Sequence, residues 1–215
     1  MDEEAHQLLL PLVEEENICL PLPINVVSKY WNVELPMAEA IESAKKYSDF
    51  DGSIIIEGIE IAERHGLSCK IVHSSLPELK KIIDSGIPPI VILPGIPEIT
   101  QHASVITGYD EDEKTILHYI QKGNQEGEQQ EGAIPQDIFD REWSEEGRLL
   151  IIISPPDILS KITLENNFQN ESNRLCFNSE QLNILKNSTE ALLCLKKSIE
   201  LDSNNSTALH LYGTM

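Results

Sequence analysis

Gln101-His102-Ala103-Ser104-Val105-Ile106-Thr107-Gly108-Tyr109-Asp110 reads as a strand that ends in a turn. The small and β-branched residues Ala103 to Thr107 suit a strand packed on both faces. Gly108 to Glu113 then predicts an acidic hairpin turn into a second strand, Thr115 to Ile120. His102 therefore stands at the fixed mouth of a buried strand rather than on a loose loop. In most proteins a lone strand-end histidine is only a polar side chain. A second residue far upstream, Cys19, gives it a possible chemical partner.

Working outward, the 215-residue chain is long enough for one domain of ordinary size plus a short appendage, and 40% hydrophobic residues suffice for a core. A formal net charge of -20 and a pI near 4.5 argue against nucleic acid or an anionic membrane as partner, because both are held by clustered Lys and Arg. Cys19, Cys69, Cys176 and Cys194 are scattered, without a Cys-x-x-Cys pair or zinc-ligand spacing. The expectation is free thiols in a reducing, cytoplasmic compartment, with no metal and no cofactor. The acidic start Met1-Asp2-Glu3-Glu4 lacks the basic opening of an export signal, and no apolar run approaches the roughly 20 residues of a membrane span.

Along the chain, residues 5 to 13 predict an extended lead-in interrupted by Pro11, and Pro21 and Pro23 suit the first turn of a helix. Ile24, Val27 and Trp31 recur on one face of that helix, with Cys19 at its N-terminus. Met37 to Tyr47 and Ile54 to His65 predict two more helices, closed by Gly66, and Leu67 to Val72 a strand. Ser75 and Glu78 form a capping pair for a helix that runs to Ser85. Ile90 to Leu93 is an all-apolar strand, placed centrally in the sheet. Lys122 to Gly132, rich in Gln, Glu, Gly and Asn, is expected to be a mobile surface loop. Pro135 to Trp143 predicts a short helix, and Leu149 to Ile153 the last core strand.

The expected organisation is a main domain over residues 1–157, a polar linker over 158–176 and a helical segment over 177–215. Phe177 to Lys186 and Thr189 to Leu201 read as an antiparallel helix pair, followed by a new helix start at Ala208. Glu190 to Asp202 resembles the second helix and turn of a tetratricopeptide repeat. One repeat and a fragment bury too little surface to stand alone, so they are expected to dock on the main domain and to offer a surface for a protein partner.

A cysteine at a helix N-terminus is suited to nucleophilic work, since the helix dipole and unpaired N–H groups favour thiolate and can hold an oxyanion. The alternative is that Cys19 is one more small buried hydrophobe. Here the sequence becomes more specific. Cys19-Leu20-Pro21 followed by Val26-Val27-Ser28-Lys29-Tyr30-Trp31-Asn32 resembles the opening of the C39 peptidases, the bacteriocin-processing, papain-like cysteine peptidases. His102 to Asp110 is similar to that family's histidine strand with its Gly-Tyr-Asp end. Gly86-Ile87-Pro88-Pro89-Ile90-Val91-Ile92 lies between them in the family's order. The likeness covers roughly residues 8 to 157. It implies an α+β, papain-like fold in which N-terminal helices pack on an antiparallel sheet, with Cys19 as nucleophile, His102 as general base and a peptide or protein as substrate.

The departures from that pattern are also informative. Where the family has an oxyanion-donating glutamine, this chain has Val13-Glu14-Glu15-Glu16, and Asn17 is the nearby amide. The orienting acid expected one strand after His102 is replaced by His118-Tyr119, and Leu20 stands in place of a glycine. Two functions stay open: a cysteine peptidase acting through Cys19 and His102, or a degenerate module of the same fold that binds peptides without cutting them.

Overall fold

A computed structural model describes residues 6–11, 22–47, 54–94, 101–119, 131–145, 147–162 and 167–215. The strands are β1 (His6–Gln7), β2 (Ser68–His73), β3 (Ile90–Pro94), β4 (Gln101–Asp110), β5 (Thr115–Tyr119), β6 (Glu131–Pro135) and β7 (Leu149–Ser154). The helices are α1 (Leu22–Tyr30), α2 (Met37–Lys46), α3 (Ile55–Arg64), α4 (Leu76–Asp84), α5 (Gln136–Glu145), α6 (Pro156–Leu159), α7 (Asn167–Ile184), α8 (Ser188–Leu201) and α9 (Ser206–Thr214). Every strand pairing is antiparallel, and the sheet order is β2-β7-β3-β4-β5-β6, with β1 attached to β4. Among the described residues the chain is thus a mixed helical and antiparallel-sheet protein. No described helix is long and apolar enough to cross a membrane.

The sheet is covered on both faces, which is why its central strands are apolar without interruption. Ile90 and Ile92 of β3, Val105 of β4 and Ile151 and Ile153 of β7 face one way, into a core shared with Ile24, Val26 and Val27 of α1 and Ile59 and Ala62 of α3. The alternate residues Val91, Ile106, Leu150 and Ile152 face the other way, against Leu79, Ile82 and Ile83 of α4 and Phe139 and Trp143 of α5. Strict two-residue alternation therefore sorts the helices onto two layers. α4 begins as its capping pair predicts: Ser75 Oγ accepts from Glu78 N at 3.4 Å and donates to Glu78 Oε2 at 3.1 Å. Trp143 is fully buried, and its Nε1 donates to Leu149 O at 2.9 Å.

β1 explains the glycine of Gly-Tyr-Asp. It pairs His6 with Tyr109 and Gln7 with Gly108, beyond the point where β3 leaves β4. A Cβ at position 108 would collide with the His6 carbonyl oxygen and lie 3.0 Å from Gln7 Cα, so only glycine lets the lead-in strand approach. His6 then stacks on Tyr109 with ring centroids 4.5 Å apart and pairs with Asp84 at 2.7 Å.

Two expectations are corrected here. The loop expected over 122–132 ends in a strand, because Glu131 to Pro135 pairs with β5 as β6; the remainder of that loop lies outside the described residues. The alternating burial of Gly132 to Pro135 is too short a signal to have stood out from the polar run before it.

The other correction concerns 158–176, expected to be a linker. α6 occupies its first residues, and α7 is helical from Asn167, ten residues before the expected start. The physical reason is that α7 is anchored to the sheet by polar side chains. β2 is an edge strand, and the backbone groups of Cys69, Ile71 and His73 point away from β7. Four residues on one face of α7 meet them. Gln169 Oε1 accepts from His73 N at 3.3 Å, and Asn170 Oδ1 accepts from Ile71 N at 2.8 Å. Asn173 Nδ2 donates to Ile71 O at 3.0 Å, and Arg174 donates to Cys69 O at 3.2 Å. The helix runs antiparallel to the strand and closes an edge that would otherwise be open to pairing with another chain. Arg174 also forks onto the Glu63 carboxylate of α3.

Behind α7, α8 and α9 pack through small residues. Ser172 and Ser198 exchange hydrogen bonds, Asn205 Nδ2 donates to Ser172 Oγ and Asn173 Oδ1 at 2.8 Å each, and Cys176, Leu195 and Ala208 form an apolar cluster. The helical segment is thus docked on the main sheet.

Candidate active site

α1 is built for a fixed position. Leu22-Pro23 opens it, where proline's missing N–H costs nothing. Ile24, Val26 and Val27 are buried in the core face. Its C-terminal end is tied twice: Tyr30 Oη donates to Gly86 O at 2.9 Å, and Trp31 Nε1 donates to Ile153 O at 2.8 Å. These two bonds set the direction of the helix. Ile153 lies at the end of β7, and Gly86 precedes the start of β3. β7 runs parallel to β4 because both are antiparallel to β3, so both anchors mark the end of the sheet where β4 finishes. The C-terminal end of α1 is therefore held away from the end where β4 begins, and the helix packs on β4 and β7. β5, antiparallel to β4 with Ile106 opposite His118, also finishes at that end.

Of the candidate site residues, His102, His118 and Tyr119 fall among the described ones. His102 is in β4, its backbone opposite Leu93 of β3; its side chain, together with Cys19 and Asn17, lies outside what the structure describes. The expected approach of the Cys19 sulfur to the His102 ring therefore also falls outside the described residues. His118 and Tyr119 are described, and they part company. Tyr119, 8% exposed, joins the core on the α1 face with Val105 and Val27. His118, one position earlier, is on the opposite face. There its Nδ1 lies 3.2 Å from the hydroxyl of Ser104, a residue paired with Val91 of the second core. Neither contact was legible in the sequence, because cross-strand register joins residues that no local pattern connects.

The other three cysteines provide the contrast against which a reactive thiol would stand. Cys69, Cys176 and Cys194 are free thiols. Burial pushes the Cys69 thiol up to about 12, chiefly by desolvation, and the Cys176 thiol up to about 11 for the same reason, although the Ser198 hydroxyl partly offsets it. Desolvation also raises the Cys194 thiol. All three are held as neutral, sluggish thiols near neutral pH.

No family model matches the chain, and no curated protein matches it. Among solved structures it is similar to a double glycine motif protease from an AMS/PCAT transporter, in complex with its leader peptide. The identity is 18% over 69% of this chain and 94% of that one, with a TM-score of 0.48. It is also similar to the peptidase domain of Streptococcus ComA, a bifunctional ABC transporter of a quorum-sensing pathway, at 17% identity over 68% and 97% of the two chains, TM-score 0.46. A Bacillus anthracis protein described as a C39-like peptidase is similar at 14% identity over 66% and 93%, TM-score 0.47.

Proposed function

We propose that the chain is a C39-like cysteine peptidase acting through Cys19 and His102. His102 takes the thiol proton and the thiolate attacks a peptide carbonyl carbon. The imidazolium returns the proton to the departing amine, and water then hydrolyses the thioester. The observation that carries this reading is the direction of α1. The helix that follows Cys19 by three residues has its C-terminal end pinned away from the sheet end where β4 begins at Gln101-His102, which leaves its N-terminus free to lie toward that end. Covalent geometry limits Cys19 to about 11 Å from the start of α1, which supports this reading.

Tyr119, in the core on the α1 face, and His118, beside Ser104 on the opposite face, are the two candidates to orient His102. A tyrosine oxygen supports an imidazolium less well than a carboxylate does, so the Cys19 thiolate forms incompletely at neutral pH and turnover is slow. Asn17 is retained as the amide that helps hold the oxyanion. The protein works on peptides in a reducing, cytoplasmic setting, and its helices α7 to α9, read as a repeat-like segment, offer a surface to a protein partner.

The test is site-resolved iodoacetamide labelling across pH combined with peptide hydrolysis. Cys19 is expected to react far faster than Cys69, Cys176 and Cys194, Cys19→Ala to abolish hydrolysis, and Tyr119→Asp to raise the labelling rate at pH 7. A Cys19 as slow as the other three in both proteins overturns the peptidase. The glutamates Glu14 to Glu16, where an oxyanion donor is expected, favour one other reading, a degenerate module that binds peptides without cutting them. Saturable peptide binding with an unreactive Cys19 would establish that reading.

A further inference from the structure

The sheet has two edges, and the chain treats them differently. The outer side of β2 is closed by α7, whose side chains meet the backbone of Cys69, Ile71 and His73. β6 is the other end of the strand order, and among the described residues nothing pairs with its outer side. Hydrogen-bond phase fixes which groups that side presents. Gln136 N donates to Lys114 O at 2.8 Å, and bonded positions recur at every second residue of an antiparallel ladder, so Ile134 and Gly132 also turn their N–H and C=O toward β5. Ala133 and Pro135 turn theirs outward. Proline suits that phase, because it has no N–H to offer β5. Ala133 is exposed, and no described group bonds to its backbone.

Strand edges are ordinarily blunted by proline, by lysine or by a covering segment. Pro135 blunts one end of β6, and the open stretch is left at the other. That stretch lies beside the proposed site. β6 runs antiparallel to β5, with Gly132 opposite His118 and Glu131 opposite Tyr119, so it starts at the end of the sheet where β4 begins at Gln101-His102. The neighbouring charge is negative. α5 follows β6 directly and packs on it, carrying Asp137, Asp140, Glu142 and Glu145 against Arg141 alone. Arg148 takes up Asp140 and Arg141 takes up Glu142, whereas Asp137 and Glu145 are exposed and in no ion pair among the described residues. The net charge of -20 adds to that field.

We propose that the outer edge of β6 docks an extended, basic peptide segment by strand addition. Ala133 N–H donates to a peptide carbonyl and Ala133 C=O accepts from a peptide N–H, so affinity comes from the main chain and preference from charge. This docking rests on the peptide-directed reading of the protein, but its test reads binding and not hydrolysis, so an unreactive Cys19 and an empty β6 edge are separate outcomes.

The experiment is titration of the full chain carrying Cys19→Ala, so that nothing is cut, with Ac-Lys-Val-Lys-Val-Lys-Val-amide at low ionic strength, read by calorimetry and amide hydrogen exchange. The acidic peptide Ac-Glu-Val-Glu-Val-Glu-Val-amide and the basic peptide N-methylated at every backbone nitrogen serve as controls. Saturable binding is expected to slow exchange at Ala133 N–H about tenfold or more, whereas the amides of Gly132 and Ile134 are already protected by β5 in the unbound chain. The acidic and N-methylated peptides should bind at least about tenfold more weakly. Ala133→Pro removes the outward N–H without touching a bond to β5, and should lower affinity about tenfold while Gly132 and Ile134 stay protected. If proline instead exposes those two amides, the N-methylated peptide and Ala133 exchange on the parent chain decide. The proposal is overturned if the basic peptide does not saturate, if it binds without slowing Ala133, if N-methylation or Ala133→Pro with β6 intact changes affinity less than about twofold, or if the acidic peptide binds as well.

Discussion

Replacing Asn173 by alanine tests whether α7 is part of the sheet or merely lies beside it. The side chain is 2% exposed and serves two partners: its Nδ2 donates to Ile71 O at 3.0 Å, and its Oδ1 accepts from Asn205 Nδ2 at 2.8 Å. Asn205 keeps its bond to Ser172, so the main loss falls on the Ile71 carbonyl, left buried at the strand edge. Leaving one buried acceptor unpaired costs about 1–3 kcal/mol, and the second lost bond adds roughly 1 kcal/mol. A total of about 2–4 kcal/mol corresponds to a fall in Tm of roughly 4–16 °C for a chain of this size. Urea denaturation and calorimetry measure the fall, and hydrogen exchange locates it. The outward-facing amides of Ile71 and His73 should exchange faster, while those of Lys70 and Val72, turned toward β7, stay protected. A loss below about 0.5 kcal/mol with unchanged exchange is the behaviour of an ordinary surface site and would refute the docking argument.

Gly108→Ala drives a methyl group into the His6 carbonyl, so β1 should detach at a cost of about 1–3 kcal/mol. The marker is loss of exchange protection at Leu8 N, which donates to Thr107 O at 2.7 Å; retained protection would show that the strand adapts. Trp143→Ala removes the largest fully buried side chain, together with its bond to Leu149 O, and should cost about 3–5 kcal/mol in urea denaturation. A cost under 1 kcal/mol would mean that the α5 layer is not core. Burial raises the Glu180 carboxyl to about 7 from the usual 4.5. Between those pH values the unfolded chain has released the proton and the folded chain still holds it, so stability falls as pH rises through that window. Glu180→Gln should remove this loss and gain up to about 3 kcal/mol at pH 8 while changing little at pH 4, and an equal effect at both pH values would contradict the assignment.

The sequence alone determined the elements whose signals are local. Apolar runs with two-residue alternation specify β3, β4 and β7, because both faces of those strands are buried, and the capping pair Ser75 and Glu78 specifies the start of α4. Cys19 and His102 were legible as candidates because a helix start and a strand start are readable from proline, glycine and β-branched residues. Tertiary structure decided what depends on partners distant in sequence. Which way α1 points follows from Trp31 reaching a carbonyl 122 residues away, and which of His118 and Tyr119 shares its face follows from the register of β5. The asparagines of α7 looked like a linker because helices are recognised by an apolar stripe, whereas this one is held by amide side chains on the open edge of β2. An amide docks a helix only where a strand edge offers unpaired backbone groups, and that edge exists only once the sheet has formed.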